Sequence, residues 1–156
     1  LVRQALHDAA RAGKRENSAS KVSVLPDLVS KALDKATKQV LNHLLFADEA
    51  PIGEEIPANG LFAESFLSRG VSDKGGRSLR DFELKDRIFR YRCSYMIYSK
   101  VFSGLPEVLR KAIYLRLNEV LSAKNPPEGY QYFVPGERAA ILDILMETLP
   151  EFKASI

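Results

Sequence analysis

DLVSKALDKATKQVLNHLLFAD, residues 27–48, is the stretch whose reading decides the fold class. Leu28, Ala32, Leu33, Ala36, Val40, Leu41, Leu44 and Leu45 recur at three- and four-residue spacing, which gathers side chains on one face of an α-helix. Lys31, Asp34, Lys35 and Lys38 fall off that stripe. The spacing predicts an amphipathic helix of about five or six turns. Pro26 and Asp27 suit its start, and Pro51 and Gly53 its end. An apolar stripe needs another to cover it, and the chain supplies two more.

Residues 106–123 place Leu109, Ala112, Ile113, Leu117, Val120 and Leu121 on one face, ending at Asn125-Pro126-Pro127. Residues 135–148 place Ala140, Ile141, Ile144 and Leu145 likewise, with Leu149 just beyond. In both helices a proline sits at the start and an acid, Glu107 or Glu137, lies in the first turn, where the helix dipole favours negative charge. Shorter helices are expected over Leu1–Glu16, Leu61–Arg69 and Ser94–Phe102. Residues 49–60 and 124–133, rich in proline and glycine, read as loops. Between Leu79 and Tyr91 the apolar spacing fits neither period cleanly, and two short strands in a hairpin are favoured there. The expectation is a mainly α, compact helical domain of five or six helices, with a small β-hairpin near 79–91. It occupies residues 21–156, preceded by a helical arm, or the end of an upstream segment, over residues 1–20.

Of the 156 residues, 46% are hydrophobic and 28% charged, so a core can form and bulk disorder is excluded. The net charge of +3 falls far short of a histone-like excess. A single cysteine, Cys93, rules out an intramolecular disulfide. It reads as a buried inert thiol, with a reactive thiol between Arg90 and Arg92 as the alternative. No apolar run approaches the ~20 residues that span a bilayer. The chain begins Leu-Val-Arg, which suggests a processed product or a piece of a longer chain, and the compartment stays open between bacterial cytoplasm and periplasm.

The densest recognition chemistry is GRSLRDFELKDRIFRYRCSYMIYS, residues 76–99. From Arg69 to Arg92 there are eight basic residues against four acidic ones, a net +4. Guanidinium forks bind phosphate or carboxylate, and aromatic rings stack on bases, so Arg77, Arg80, Arg87, Arg90 and Arg92 are the candidate interaction residues. The interleaved acids Asp73, Asp81, Glu83 and Asp86 favour the plainer reading of internal ion pairs around a core of Phe82, Phe89, Tyr91 and Tyr95. HExxH, CxxCH, GxxxxGK[ST] and GxGxxG are all absent, which excludes zincin sites, c-type haem attachment and the common phosphate cradles. Asp73-Lys74-Gly75-Gly76 lacks the strand–turn–helix setting of a nucleotide loop. No catalytic residue, cofactor or metal ligand is assigned.

The block at 76–99, with FSGLPEVLRKAIYLRLNEVLS after it, LLFADEAP before it and the closing ERAAILDILMETLPEF, resembles the C-terminal region of large uncharacterised bacterial proteins. The resemblance spans about Leu41 to Phe152. The signature has the form GRSLRDFxLKxRxFxYxCSYxIYS and usually carries proline where this chain has Arg92. The family has no known activity, so the resemblance carries no catalytic residue. It implies the terminal module of a longer protein.

The expected function is therefore a non-catalytic protein–protein interaction or structural module, a domain or subunit of a larger bacterial assembly. Its partner would be another protein or the rest of a larger polypeptide. One alternative is an anion or nucleic-acid binding module using residues 77–92. A second is a cofactor-binding or enzymatic domain with a dispersed site around His43 or Cys93.

Overall fold

The computed structural model describes residues 24–57 and 60–156, and within these the chain is helical with no β-sheet. Six α-helices are present among the described residues: α1 Val24–Leu44, α2 Leu61–Leu67, α3 Lys100–Ser103, α4 Glu107–Ser122, α5 Glu137–Thr148 and α6 Pro150–Lys153. A 3-10 turn at Tyr95–Tyr98 precedes α3. The arm expected over residues 1–20 and the helix expected over Leu1–Glu16 lie outside the described residues.

Three predicted stripes build the core. α1 packs on α4, α4 on α5 and α5 on α6. Leu41 and Leu45 from α1 and its end, Leu109, Ile113, Leu117 and Val120 from α4, and Ile141, Ile144 and Leu145 from α5 are buried. Burying each such side chain stabilises the fold by about 1.5–3 kcal/mol. The α1 stripe runs out at its N-terminal end, where Leu28 is exposed. α1 also stops earlier than Pro51 and Gly53 suggest. Phe46 takes a left-handed φ of 52°, and the Ala47 N–H turns back to the Asn42 carbonyl at 3.0 Å. The left-handed residue ends the helix without a glycine.

The loop over 124–136 is stitched to the frame by side chains. Tyr130 donates to Asn42 Oδ1 and Tyr132 to the Leu45 carbonyl, each at 2.9 Å. Arg138 donates to the Val120 and Ala123 carbonyls at 2.8 Å, satisfying groups that the end of α4 would otherwise leave unpaired. After α5 the chain restarts at Pro150, and α6 delivers the fully buried Phe152 edge-on to Tyr114, a closing element not predicted from the periodicity.

Two local expectations are corrected. The helix expected over Ser94–Phe102 is two pieces, because Ser99 is extended, with ψ at 153°. Each piece is capped by its own serine: Ser94 Oγ accepts from the Met96 N–H and Ser99 Oγ from the Phe102 N–H. The hairpin near 79–91 is a chain reversal without strands. It holds a single antiparallel bridge, Phe82 to Phe89, with Leu84 at a φ of 62° in the tight turn. Its limbs are joined by backbone bonds from the Glu83, Leu84 and Arg90 N–H groups to the Ile88, Arg87 and Asp81 carbonyls at 2.8–3.0 Å, and the Glu83 carboxylate takes the N–H groups at the tip.

Candidate functional site

Three acids in the 69–99 segment organise backbone before they neutralise charge. The Glu83 carboxylate accepts the N–H groups of Lys85, Asp86 and Arg87 at 3.0 to 3.2 Å and closes the reversal. Those N–H groups hold its carboxyl below the ordinary value. Asp81 accepts from the Ser78 N–H at 3.0 Å. Asp73, buried, accepts the Arg77 N–H at 2.8 Å and the Arg77 guanidinium at 2.7 Å. Burial works to raise the Asp73 carboxyl; the two Arg77 donors outweigh it, and the group sits below its usual range.

The countercharges for the arginines come mostly from far along the chain. Glu137, at the start of α5 and only 5% exposed, is the centre of this network. It accepts the Arg92 N–H at 2.8 Å, the Arg92 guanidinium at 2.9 Å and the Val134 N–H at 3.2 Å, and lies 3.6 Å from Arg87. Arg92 also reaches Glu49 at 3.8 Å and lies over the Tyr132 ring. Arg87 donates to the Phe89 and Arg90 carbonyls, both at 2.9 Å. Arg77 reaches Asp143 on α5 at 3.5 Å. A proline at 92 would remove the donor that meets Glu137 Oε1.

Of the five candidate arginines, then, Arg77, Arg87 and Arg92 brace the segment against the helices. Arg80 and Arg90 differ: among the described residues neither meets a carboxylate. Arg90 is exposed beside the Tyr91 ring. Arg80 is half-buried between two rings, 4.6 Å from the Phe66 centroid and 4.4 Å from that of Tyr95. Its guanidinium donates to the Phe66 carbonyl at 3.2 Å. It borders a small pocket shared with Arg69.

The two side chains named for a dispersed site have different surroundings. Cys93 is fully buried in the core, and burial pushes its thiol up to about 12, so it stays protonated at neutral pH. His43 is exposed on α1 beside a shallow hollow that also includes Asp48 and Glu49. Among the described residues no three His, Cys, Asp or Glu side chains gather as a metal site. An open groove of about 550 Å³ between α1 and α4 carries both signs of charge, with Arg116 and Glu119 paired at 2.6 Å. The buried Thr37 hydroxyl beside it has no hydrogen-bond partner among the described residues.

One surface departs from the rest. On α2, Leu61 is 85% exposed and Phe62 78% exposed. Phe62 stacks on Phe66, which stacks on Phe82 and tilts against Phe89, which stacks on Phe46 at the end of α1. The exposed ring is thus the outer end of a row anchored in the frame. Ile56 and Ile88, also exposed, lie on the two chain segments joined by the Ile56 N–H to Leu84 carbonyl bond at 2.9 Å and the Ile52 N–H to Asp86 carbonyl bond at 3.0 Å. From residue 39 to 68 the sequence holds five acids, Asp48, Glu49, Glu54, Glu55 and Glu64, and no Lys or Arg. An acidic stretch therefore carries the apolar knob in a chain of net positive charge. Spacing alone does not separate Phe62 from Phe66, which stand one turn apart on the same short helix.

No family model, curated protein or solved structure matches the chain. No helix among the described residues is long and apolar enough to cross a membrane.

Proposed function

We propose that the chain is a non-catalytic protein–protein interaction module, a domain or subunit of a larger bacterial assembly, and that Leu61 and Phe62 are its anchor. The observation that carries this reading is two adjacent large apolar side chains, 85% and 78% exposed, with the Phe62 ring stacked on a row of half-buried rings. Interfaces draw most of their affinity from a few rigid aromatic and aliphatic anchors. An exposed ring already held by its neighbours loses little freedom on binding. Glu64 lies on the same helix, and the acids at 48, 54 and 55 precede it in a stretch without Lys or Arg, so the occupant we propose is a protein segment with an apolar face flanked by Lys or Arg.

A strip of arginines along bound nucleic acid draws less support. Arg77, Arg87 and Arg92 are already held by Asp73, Asp143, Glu49 and Glu137. Selection of a displayed random peptide library against the chain tests the proposal, with the Leu61→Asp, Phe62→Asp double variant as counter-target. Enriched peptides should carry apolar residues next to Lys or Arg and should not bind the double variant. Peptides that bind both proteins equally, or no enrichment above a scrambled control, would sink it. Circular dichroism of the double variant should match the parent, since both side chains point into solvent.

A further inference from the structure

We propose that the pocket between the end of α2 and the Tyr95–Ser99 segment binds a tetrahedral oxyanion, the phosphate group of a small molecule or phosphate itself. The site is separate from the Leu61–Phe62 knob. Its lining includes Arg69, Ser78, Arg80, Tyr95, Tyr98 and Ser99, and no carboxylate. Its volume is about 140 Å³. A single water needs only ~10–15 Å³ of such space, so there is room for one oxyanion and part of its hydration.

The charge inventory points the same way. Arg77, Arg87 and Arg92 each have a carboxylate partner, whereas Arg69 and Arg80 have none among the described residues. A guanidinium carries five N–H donors, and the Phe66 carbonyl takes one from Arg80. The Phe66 and Tyr95 rings, set at 82° to each other, hold the guanidinium 4.6 and 4.4 Å from their centroids and remove part of its water. A cation held that way, with donors to spare and no counterion, is prepared for an anion. Arg69, exposed and without a described contact, can swing onto the same ligand.

The hydroxyls complete the cradle. Ser78 Oγ accepts the Arg80 N–H at 3.2 Å, and Ser99 Oγ accepts the Phe102 N–H at 3.1 Å. Both serines thereby keep their own protons free to donate. Tyr98 shares a 2.6 Å hydrogen bond with Thr148, which fixes the rear wall. Gly70 is what allows Ser78 this position: a Cβ at residue 70 would fall 2.5 Å from Ser78 Oγ. Two guanidinium groups, two hydroxyl donors and no acid favour an oxyanion with several acceptor oxygens over a carboxylate with two.

Calorimetric titration of the whole chain with inorganic phosphate at low ionic strength tests this, with amide chemical shifts to locate the ligand. Saturable one-to-one binding is expected, with shifts at Arg80, Tyr95 and Ser99. Arg69→Gln should weaken it by about tenfold, the loss of one charge-assisted contact. Arg90→Gln, outside the pocket, should bind as the parent does. Arg80→Gln should weaken binding too, but Arg80 also braces two rings, so the decisive variant is Arg69→Gln, which breaks no described contact. A parallel titration with glycerol phosphate separates the sources: equal binding assigns an esterified phosphate, exclusion assigns the free ion. No saturable binding of phosphate, or equal losses in Arg69→Gln and Arg90→Gln, would overturn the site.

Discussion

The helical frame and the 69–99 segment solve the folding problem by different physics. α1, α4 and α5 meet through apolar stripes, and α6 closes them with Phe152. The segment has few buried aliphatics, Leu79 and Ile97 among them, and holds its shape by acids on N–H groups, arginines on distant carboxylates and stacked rings. Hydrophobic contact is tolerant of direction and fixed by period. Hydrogen-bonded charge is directional, and its partners need not be near in sequence. The frame should therefore be sensitive to buried charge, and the segment to the loss of single polar atoms and to acid.

Substitution in the frame should have the largest effect. Leu117→Asp or Leu41→Asp would bury an unpaired charge where the native side chain is fully enclosed. Each should cost more than about 4 kcal/mol and abolish the cooperative thermal transition followed by circular dichroism. A folded Leu117→Asp protein would mean that α1 and α4 meet through some other face.

The network at Glu137 comes next. Glu137→Ala would strand Arg92 and Arg87 without their shared carboxylate, at about 3–5 kcal/mol in urea unfolding. Glu107→Ala, at the corresponding place in α4, should do little, since Glu107 is exposed and its ion pair among the described residues is with Lys111. Arg92→Pro should approach the effect of Glu137→Ala, because it removes both the N–H and the guanidinium that meet Glu137. Equal, small effects at 107 and 137 would show that the segment does not depend on its distant carboxylate.

Acid should loosen the segment ahead of the frame. Asp73 and Glu83 have folded values below their ordinary 3.8 and 4.5. Between the folded and ordinary values the unfolded chain binds more protons, so stability rises with pH there. Their contribution is whole above about pH 5 and is lost as the pH falls through the folded values. Below pH 4, amide exchange at Lys85, Asp86 and Arg87 should accelerate before that of α4. Asp73→Asn with Glu83→Gln should flatten the dependence, and an unchanged acid profile in that double variant would remove these two groups as its cause.

The smallest effect is reserved for the exposed side of α1. Lys38→Ala should stay within about 0.5 kcal/mol of the parent in the same urea assay. A larger loss would place Lys38 inside a contact and shift the register of α1.

The period of the apolar residues made α1, α4 and α5 legible, because 3.6-residue spacing is written locally. Glu137 shows where that legibility stops. Glu107 and Glu137 both follow a proline by one or two residues and open a helix, and the sequence reads them alike as first-turn acids. One is exposed and the other is the buried partner of two arginines, and nothing within several residues distinguishes them. Of the interleaved acids, Asp73 makes an internal ion pair with Arg77 at 2.7 Å, as the sequence suggests. Asp81 and Glu83 serve the backbone, and their side chains reach N–H groups that only the folded turn brings together. Nor could spacing reveal that Phe62 faces solvent while Phe66, four residues on, is clasped by Phe82 and Arg80.

By itself the sequence determined that this chain is helical, which three stripes form its core, and that its thiol cannot make an internal disulfide. Periodicity and residue count are local properties, readable without neighbours. Only the tertiary structure decided which arginines are satisfied and which are left with donors to spare, where the aromatic row surfaces, and which acid of two look-alikes is enclosed. Those outcomes depend on distances between residues tens of positions apart, and pairing of charge and shape across such gaps is settled when the helices close on one another.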